Sequence, residues 1–454
     1  MAFVDILKNL PEVKAPLEKK LSFNVKLKWT IIVLAAFFVM SNISLYGADP
    51  GFLQQFEYLA IIMGTSFGSV ISLGIGPIVM ASIILQLLVG SQILEIDTST
   101  SEGKKFFQGL QKLLVFFFII FESMVYVLMG GIKAAPGFVS IVIFQLILGG
   151  LAILFMDEVT HKWGFGSGVS LFIAAGVGWR LITALFGFLG PEGNLQASGA
   201  IIAFIASLMK ADSTGAILSL APIITTVILF LLVVWAQSLK IEIPLSYDRL
   251  RGYSMKWPLQ FFYASVIPVI LTAALIANLQ LFGGLLQNWI GHPTFLGNMV
   301  NGRAVSGFLY WVGSTDIVQA IITGSWEWKL LLQTLGHVVF YMFFAALFSV
   351  FWVKTSGMDA SNQAENILKS GLQIPGFRKD KRILESILSR YVMPLTVMGG
   401  LAIGLLAAAA NNLGTLVGGT ALLLGIMITF QFYQNIAQQH ALDMNPAMKK
   451  MMGV

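Results

Sequence analysis

The most constraining feature of this sequence is the near absence of positive charge from long stretches of chain. No lysine or arginine occurs between Lys28 and Lys104, and hydrophobic residues make up 57% of the 454 positions while charged residues make up 11%. A soluble protein of this length cannot bury so much apolar surface in one core, because its outside must still face water. A bilayer removes that requirement, since each crossing helix takes about 20 mostly apolar residues. The chain is therefore predicted to be a polytopic membrane protein.

Ten apolar segments are long enough to cross a bilayer, which predicts an all-α fold with both termini on one side. With the N-terminus inside, 23 of the 28 lysines and arginines fall on the inner side, as the positive-inside rule requires. The predicted localisation is the cytoplasmic membrane, multi-pass, with both termini cytoplasmic. The segments lie at 29–46, 56–93, 106–129, 137–156, 166–188, 215–239, 258–282, 328–353, 387–410 and 416–438.

The segment at 56–93 is too long for one span, and four glycines interrupt it before Pro77. Proline suits the first turn of a helix, so a new helix is predicted to start near Pro77. The piece at about 56–68 is then a short outer half-helix. Non-helical backbone at membrane depth is tolerated only beside protein or water, so the break indicates a cavity or pore. Pro268, within the seventh segment, is the weaker counterpart in the second half.

Span counting divides the chain into two halves of five helices, which implies inverted topology. A basic amphipathic segment at 1–28 is predicted to lie along the inner membrane surface. A first half with helices 1–5, an external hinge loop and a second half with helices 6–10 follow it. The second half carries two basic cytoplasmic loops, at 240–257 and 354–390. The predicted divisions are 1–28, 29–188, 189–214 and 215–454.

Motifs for enzymatic chemistry are missing from the sequence. It has no cysteine, no G-x-x-x-x-G-K-[ST] phosphate loop and no H-E-x-x-H pair, and its four histidines are far apart. The prediction is a non-enzyme with no catalytic residues, no cofactor and no metal. Glu122, well inside the third segment, is the notable intramembrane charge. It is interpreted either as a protonated carboxyl that joins helices or as part of a polar site between helices.

Several motifs, in order along the chain, resemble those of the SecY family of channel subunits of the Sec translocon, in its archaeal rather than bacterial style. The resemblance covers essentially the whole chain. The motifs are LGIGPIV at 73–79, QLLVG at 86–90, GFGSGVSLFIAAG at 164–176, IPVI at 267–270, GFRK at 376–379 and GGT at 418–420.

This resemblance implies an hourglass channel between two inverted, pseudo-symmetric halves, closed at its waist by a ring of apolar side chains. The ring falls on Ile75, Val79, Val169, Ile173, Ile270 and Leu424. Ile75 and Val79 are spaced i,i+4, as are Val169 and Ile173, so the side chains of each pair can lie on one face of a helix. Such pairs alone are typical of an ordinary core. A narrow apolar constriction dewets and so blocks ions without a charged filter.

The resemblance also implies a plug, a lateral gate and a ribosome-docking surface. The plug is the half-helix 56–68, with Phe56, Leu59, Ile62, Met63 and Gly64. The gate runs between helices 2–3 and 7–8, with polar positions at Glu122 and Asn278, which are expected to be in contact. Met80 stands where relatives often have a polar residue, a departure that puts the gate's polar cluster in doubt. Docking of ribosomal RNA falls on Arg249, Arg251, Arg378, Lys379, Lys381 and Arg382.

The partners implied by the family are the small membrane subunits SecE (gamma) and Sec-beta, the ribosome, signal-sequence-bearing nascent chains and the lipid bilayer. The implied function is a passive protein-conducting channel, which translocates secretory polypeptides and releases membrane segments sideways into lipid. Two alternatives remain open. A secondary transporter of a small solute would place converging polar groups at the midplane, and an insertase or scaffold without a pore would not conduct when the ring is disrupted.

Overall fold

The described part of the first half contains five helices, of which the second is shorter than the other four. The computed structural model describes residues 10–18, 21–49, 68–90, 93–96, 100–188, 199–247, 254–264, 266–300, 303–369, 372–373 and 380–444. Two short strands, β1 (Ala48–Asp49) and β2 (Lys133–Ala134), pair antiparallel beside the helices. The helices are α1 (Phe23–Ser41), α2 (Gly76–Gly90), α3 (Ser101–Leu128), α4 (Val139–Trp163) and α5 (Gly168–Phe186).

The second half adds a further five long helices together with short helices and hairpins. The connection between the halves contains α6 (Ala200–Met209). In chain order the rest are α7 (Ser213–Ser238), β3 (Lys240–Tyr247), β4 (Ser254–Gln260), α8 (Ile267–Ile290), β5 (Asn298–Val300), β6 (Arg303–Ser306), α9 (Phe308–Val312), α10 (Ile317–Thr323), α11 (Trp328–Thr355), α12 (Ala360–Lys369), β7 (Leu372–Gln373), α13 (Lys381–Asn412) and α14 (Gly419–Met444).

Each of the ten predicted segments overlaps one of the long helices. Within the described part of the chain, nine helices are long and apolar enough to cross a membrane, and Gly76–Gly90 is a shorter apolar helix. The new helix predicted near Pro77 is confirmed, because α2 begins at Gly76 and residues 68–75 form turns and a single bridge. The half-helix predicted at 56–68 lies outside the described residues, apart from Gly68.

Pro268 is confirmed as the counterpart of Pro77. It stands in the first turn of α8, as Pro77 stands in the first turn of α2, and in both cases the helix begins inside the predicted segment. The start of the predicted segment 258–282 belongs instead to β4, which pairs with β3 in a hairpin. Two predicted loops also contain regular structure, since α6 lies within 189–214 and the strands of the hairpin occupy most of 240–257. The first helix begins at Phe23 rather than at residue 29.

Residues 10–18 of the N-terminal segment are irregular, and they are bonded to the end of α4. Glu12 is paired with Lys162, whose ammonium group also donates to the Val13 carbonyl at 2.6 Å. The Val13 amide donates to Glu158 at 2.9 Å, and the Trp163 indole donates to the Lys14 carbonyl at 2.9 Å. The hydrogen bond from Lys162 lowers the pKa of Glu12. This pairing therefore persists into more acidic solution than an unpaired carboxylate would allow.

Candidate functional site

All six residues predicted to form the ring come together in one apolar cluster. Five of them are buried: Ile173 and Leu424 at 0%, Ile75 at 2%, Ile270 at 3% and Val79 at 4% exposure. Val169 is half-buried and packs against the same cluster. The cluster therefore draws these side chains from four separate helical segments.

The residues on α2 and α5 owe their positions to the way these helices begin. Ile75 immediately precedes α2, and its carbonyl accepts from the Val79 amide at 3.0 Å, so the two side chains lie one turn apart. At α5, the Asp157 carboxylate accepts from the Val169 amide at 2.9 Å. A Cβ on Gly168 would lie 2.6 Å from the Asp157 Cα, so only glycine allows this approach. The glycine run at 164–168 thus serves close packing.

The residues contributed by the second half also lie near helix starts. Ile270 lies in the first turn of α8, where its amide donates to the Val266 carbonyl at 3.2 Å. Leu424 lies in the second turn of α14, which begins at Gly419. Side chains near a helix start are held by the fixed entry of the chain into that helix. Glycine and proline at these four starts therefore place the six apolar side chains.

The ring residues lie where the two halves of the protein meet. On one side α5 packs against α14, and Val177 fills the space beside Gly425, one residue after Leu424. On the other side α2 packs against α8 and α11. Ring residues from both halves thus occupy the junction between them.

The three residues predicted for the gate lie on α2, α3 and α8. Glu122 is fully buried and Asn278 is 3% exposed, whereas Met80 is half-buried. Glu122 and Asn278 were expected to be in contact, but no hydrogen bond joins their side chains. The Asn278 amide nitrogen donates to the Ala274 carbonyl of its own helix at 2.8 Å. Both carboxyl oxygens of Glu122 and the Asn278 side-chain oxygen have no partner among the described residues.

Some predicted site residues lie outside the part of the chain that the structure describes. These are the plug residues Phe56, Leu59, Ile62, Met63 and Gly64, and the docking residues Arg249, Arg251, Arg378 and Lys379. Of the docking set, Lys381 and Arg382 are described, and both are exposed at the start of α13. Lys381 pairs with Glu365 of α12 at 3.1 Å.

The two basic loops are joined by a small sheet with strand order β4-β3-β7. Ser246 and Tyr247 of the first loop pair antiparallel with Gln373 and Leu372 of the second. Loops that are more than a hundred residues apart in the chain are therefore neighbours in space. This pairing places the described strands of the two loops side by side.

Sequence reasoning missed a buried polar network between α11, α13 and α14. The Asn411 amide nitrogen donates to Thr420 at 2.6 Å, and Asn411 accepts from the Thr420 amide at 2.7 Å. Asn412 accepts from the Thr315 amide at 2.9 Å, and His337 contacts the Val312 carbonyl at 2.6 Å. The signal was the pair Asn411–Asn412 directly before the motif at 418–420. The network fixes the start of α14, and with it the position of Leu424.

Comparisons with known proteins agree on one family. The SecY family model matches residues 69–433. The protein translocase subunit SecY of Methanothermobacter thermautotrophicus is 41% identical over 99% of this chain and 98% of its own length. A solved protein-conducting channel has a TM-score of 0.83 at 37% identity, covering 98% of this chain and 99% of its own. Sec61 in a canine ribosome–channel complex has a TM-score of 0.80 at 36% identity, covering 98% and 99%.

Proposed function

Because this chain belongs to the SecY family, we propose that its ring of six apolar residues is the constriction through which polypeptides are moved. The protein is a protein-conducting channel, not an enzyme, and it lies in a membrane that it crosses several times. Secretory polypeptides pass across that membrane, and membrane-protein segments leave the channel sideways. No cofactor is proposed, and a partner such as the translating ribosome drives the movement.

The observation that supports this proposal is the convergence of apolar side chains from both halves in one buried cluster. Aliphatic side chains offer a passing chain no hydrogen bonds, and they can shift around residues of different width. A narrow apolar waist also excludes water and therefore ions when no chain is present. The rival function, transport of a small solute, calls for converging polar groups at the midplane. The six side chains assigned to the ring are all aliphatic, which favours the channel.

We propose that the plug is the segment at about 56–68, which leads into the described turns at 68–75. The Gly68 amide donates to the Ser72 hydroxyl at 2.9 Å, and the Leu45 amide donates to the Gly68 carbonyl at 2.9 Å. Gly68 and Gly74 have φ angles of +87° and +53°, which favour glycine. These contacts anchor the inner end of the plug beside Ile75. The outer part, with Phe56, Leu59, Ile62, Met63 and Gly64, is then displaced by a translocating chain.

The lateral gate in this proposal is the seam between α2–α3 and α8–α11, which correspond to helices 2–3 and 7–8. Glu122 and Asn278 supply unpaired polar groups on the two sides, and Met80 contributes a flexible thioether rather than a polar group. Buried polar groups without partners make a closed interface less stable. Such a seam opens more readily for an apolar segment, which then reaches the lipid.

The orientation that follows places both termini in the cytoplasm and the hinge connection 189–214 outside. The first half is 29–188 and the second is 215–454, with the segment 1–28 on the cytoplasmic surface. The small membrane subunits SecE and Sec-beta complete the proposed complex. Signal-sequence-bearing nascent chains are the substrates, and the bilayer receives the segments that leave through the gate.

The basic loops 240–257 and 354–390 are proposed to dock the ribosome, as their cytoplasmic side and shared sheet favour. Arg249, Arg251, Arg378, Lys379, Lys381 and Arg382 would then bind phosphates of ribosomal RNA. Lysine and arginine contacts to a polyanion release condensed counterions, so this binding should weaken steeply as the salt concentration rises.

Reversing charge in both loops is expected to weaken ribosome binding. For Arg251→Glu combined with Arg378→Glu, co-sedimentation with ribosomes at moderate salt should fall by about tenfold or more, because two phosphate contacts become repulsive. Lys329→Glu, which reverses a charge at the opposite end of α11, is the matched control and should leave binding unchanged. Equal binding by the double variant and the parent would indicate that the basic residues of these loops only set the membrane topology.

The proposed function is tested by import into liposomes. The channel, reconstituted with its two small subunits, should carry a ribosome-bound secretory chain into the lumen, where it is protected from added protease. Liposomes that carry the same proteins with a tethered, non-releasable plug segment serve as the control. Protease sensitivity of the chain in the complete system would contradict the channel function.

A further inference from the structure

A hydrogen bond ties the outer ends of α3 and α8 together. Met129 is the C-terminal cap of α3, and its carbonyl accepts from the side-chain amide of Asn288 at 2.8 Å. Asn288 lies in the last turn of α8, in the other half of the protein. The last carbonyls of a helix have no partner within it, so such a carbonyl is a ready acceptor for a neighbour. Here the donor comes from across the proposed gate.

The backbone at this point is shaped to receive the amide. Gly130 follows the cap with a φ angle of +76°, a conformation that favours glycine. A Cβ at this position would lie 2.7 Å from the Asn288 amide nitrogen, so any larger residue would press on the donor. The Gly130 amide donates back to the Val127 carbonyl at 3.2 Å, and the Ile132 amide donates to Tyr126 at 2.9 Å. The acceptor is therefore held in a fixed position.

Deeper in the membrane, the same seam contains polar groups that have no hydrogen-bond partner in this structure. The Glu122 carboxyl oxygens, the Tyr126 hydroxyl and the Asn278 side-chain oxygen are buried without hydrogen-bond partners among the described residues. These groups lie on α3 and α8, the helices that Asn288 joins at their outer ends. The seam thus combines a poorly satisfied interior with a well-formed polar contact at its outer end.

We propose that Asn288 is a latch that sets how hydrophobic a segment must be to open the lateral gate. This inference rests on the function proposed above and names its regulation. Opening the seam separates Asn288 from Met129, and the exchange of an apolar segment from channel to lipid supplies the driving force. One hydrogen bond corresponds to burial of about one or two methylene groups. The latch therefore discriminates among weakly hydrophobic signals and leaves strongly hydrophobic ones unaffected.

The neighbouring residue provides a matched control, because its bonds stay within one half. The Gln287 amide nitrogen donates to the Asn298 side chain at 3.1 Å and to the Met299 carbonyl at 3.0 Å. Its oxygen accepts from the Met299 amide at 2.6 Å. Gln287→Ala thus removes three hydrogen bonds at the same level of α8 without touching the seam.

The test measures import through the reconstituted complex for secretory chains whose signals carry graded numbers of leucine. Two variants are compared with the parent. Asn288→Leu removes the donor, and the near-isosteric Asn288→Asp places a carboxylate oxygen against the Met129 carbonyl. Each variant should raise import of the weakest signals by about two- to tenfold. Each should also lower the number of leucines that a signal needs for half-maximal import by about one. Import of the strongest signal should match the parent, and Gln287→Ala should keep the parental threshold.

The outcomes separate the latch from the channel. An unchanged threshold in a variant that imports the strongest signal normally would overturn the latch, as would a uniform loss for all signals in both variants. A threshold shift of the same size in Gln287→Ala would show that any change at the outer end of α8 has this effect. That result would also overturn the latch. Failure of the parent protein to import any signal would instead contradict the proposed function.

Discussion

Serine at Ile75, Val79 and Ile270 is expected to make resting membranes leak ions. These side chains are 2%, 4% and 3% exposed in the apolar cluster that contains the proposed ring. Their hydroxyl replacements would be smaller and would bind water, so the constriction would stay wet and conduct. In planar bilayers, the triple variant should show a steady conductance at least about tenfold above the parent, which should be nearly silent.

The control for this experiment is Val233→Ser on α7. Val233 is fully buried in the same apolar cluster but is not part of the ring. A hydroxyl there should reduce stability without opening a path for ions. Parental conductance in the triple variant, or an equal leak in Val233→Ser, would contradict the assignment of the six residues to the constriction.

Leucine at Gly149 is expected to prevent the protein from accumulating in the membrane. A Cβ at Gly149 on α4 would overlap the carbonyl oxygen of Val70, which belongs to the turns that lead to Ile75. Backbone atoms cannot move aside as a flexible side chain can, and overpacking in a dense interior costs about 1–3 kcal/mol or more. The Val70 amide is also held by the Ile43 carbonyl at 2.9 Å, so the segment has little room to retreat.

Gly176→Leu on α5 is the matched control, because a Cβ there would meet nothing within 4 Å. It should be recovered at parental levels with an apparent melting temperature within a few degrees of the parent. The smaller Gly149→Ala change should still lower the melting temperature by several degrees, although alanine is favoured over glycine in a helix by about 1 kcal/mol. Parental stability of Gly149→Ala would show that the close approach of residues 68–75 to α4 is not required.

The parts of the fold that could be predicted from the sequence are those that depend on residues close together in the chain. The apolar segments and the glycines before Pro77 predicted the helices and the break at 68–75, because both depend on neighbouring residues. The family motifs brought together side chains from four helices that spacing alone could not join. Pro268 was also a local signal, because it stands in the first turn of α8 as Pro77 stands in the first turn of α2.

The remaining parts depend on distant partners, which a single sequence does not reveal. The side chain of Asn411 is hydrogen-bonded to His337, 74 positions away in the sequence, and that of Asn412 to Thr315, 97 positions away. The pairing of Tyr247 with Leu372 likewise joins two loops across most of the second half. Glu122 and Asn278 are predicted to be polar gate residues, yet their lack of a mutual hydrogen bond depends on the relative positions of α3 and α8.

The central claim is that translocating chains pass through the apolar ring, and crosslinking tests it most directly. A photoreactive residue is placed at Ile75, Val169 or Leu424 in turn, and a ribosome-stalled secretory chain is held in the channel. Phe144, which is 60% exposed on α4, is the control position outside the ring. The ring positions are predicted to crosslink to the stalled chain while position 144 does not. Crosslinks at position 144 without any at the three ring positions would contradict the account.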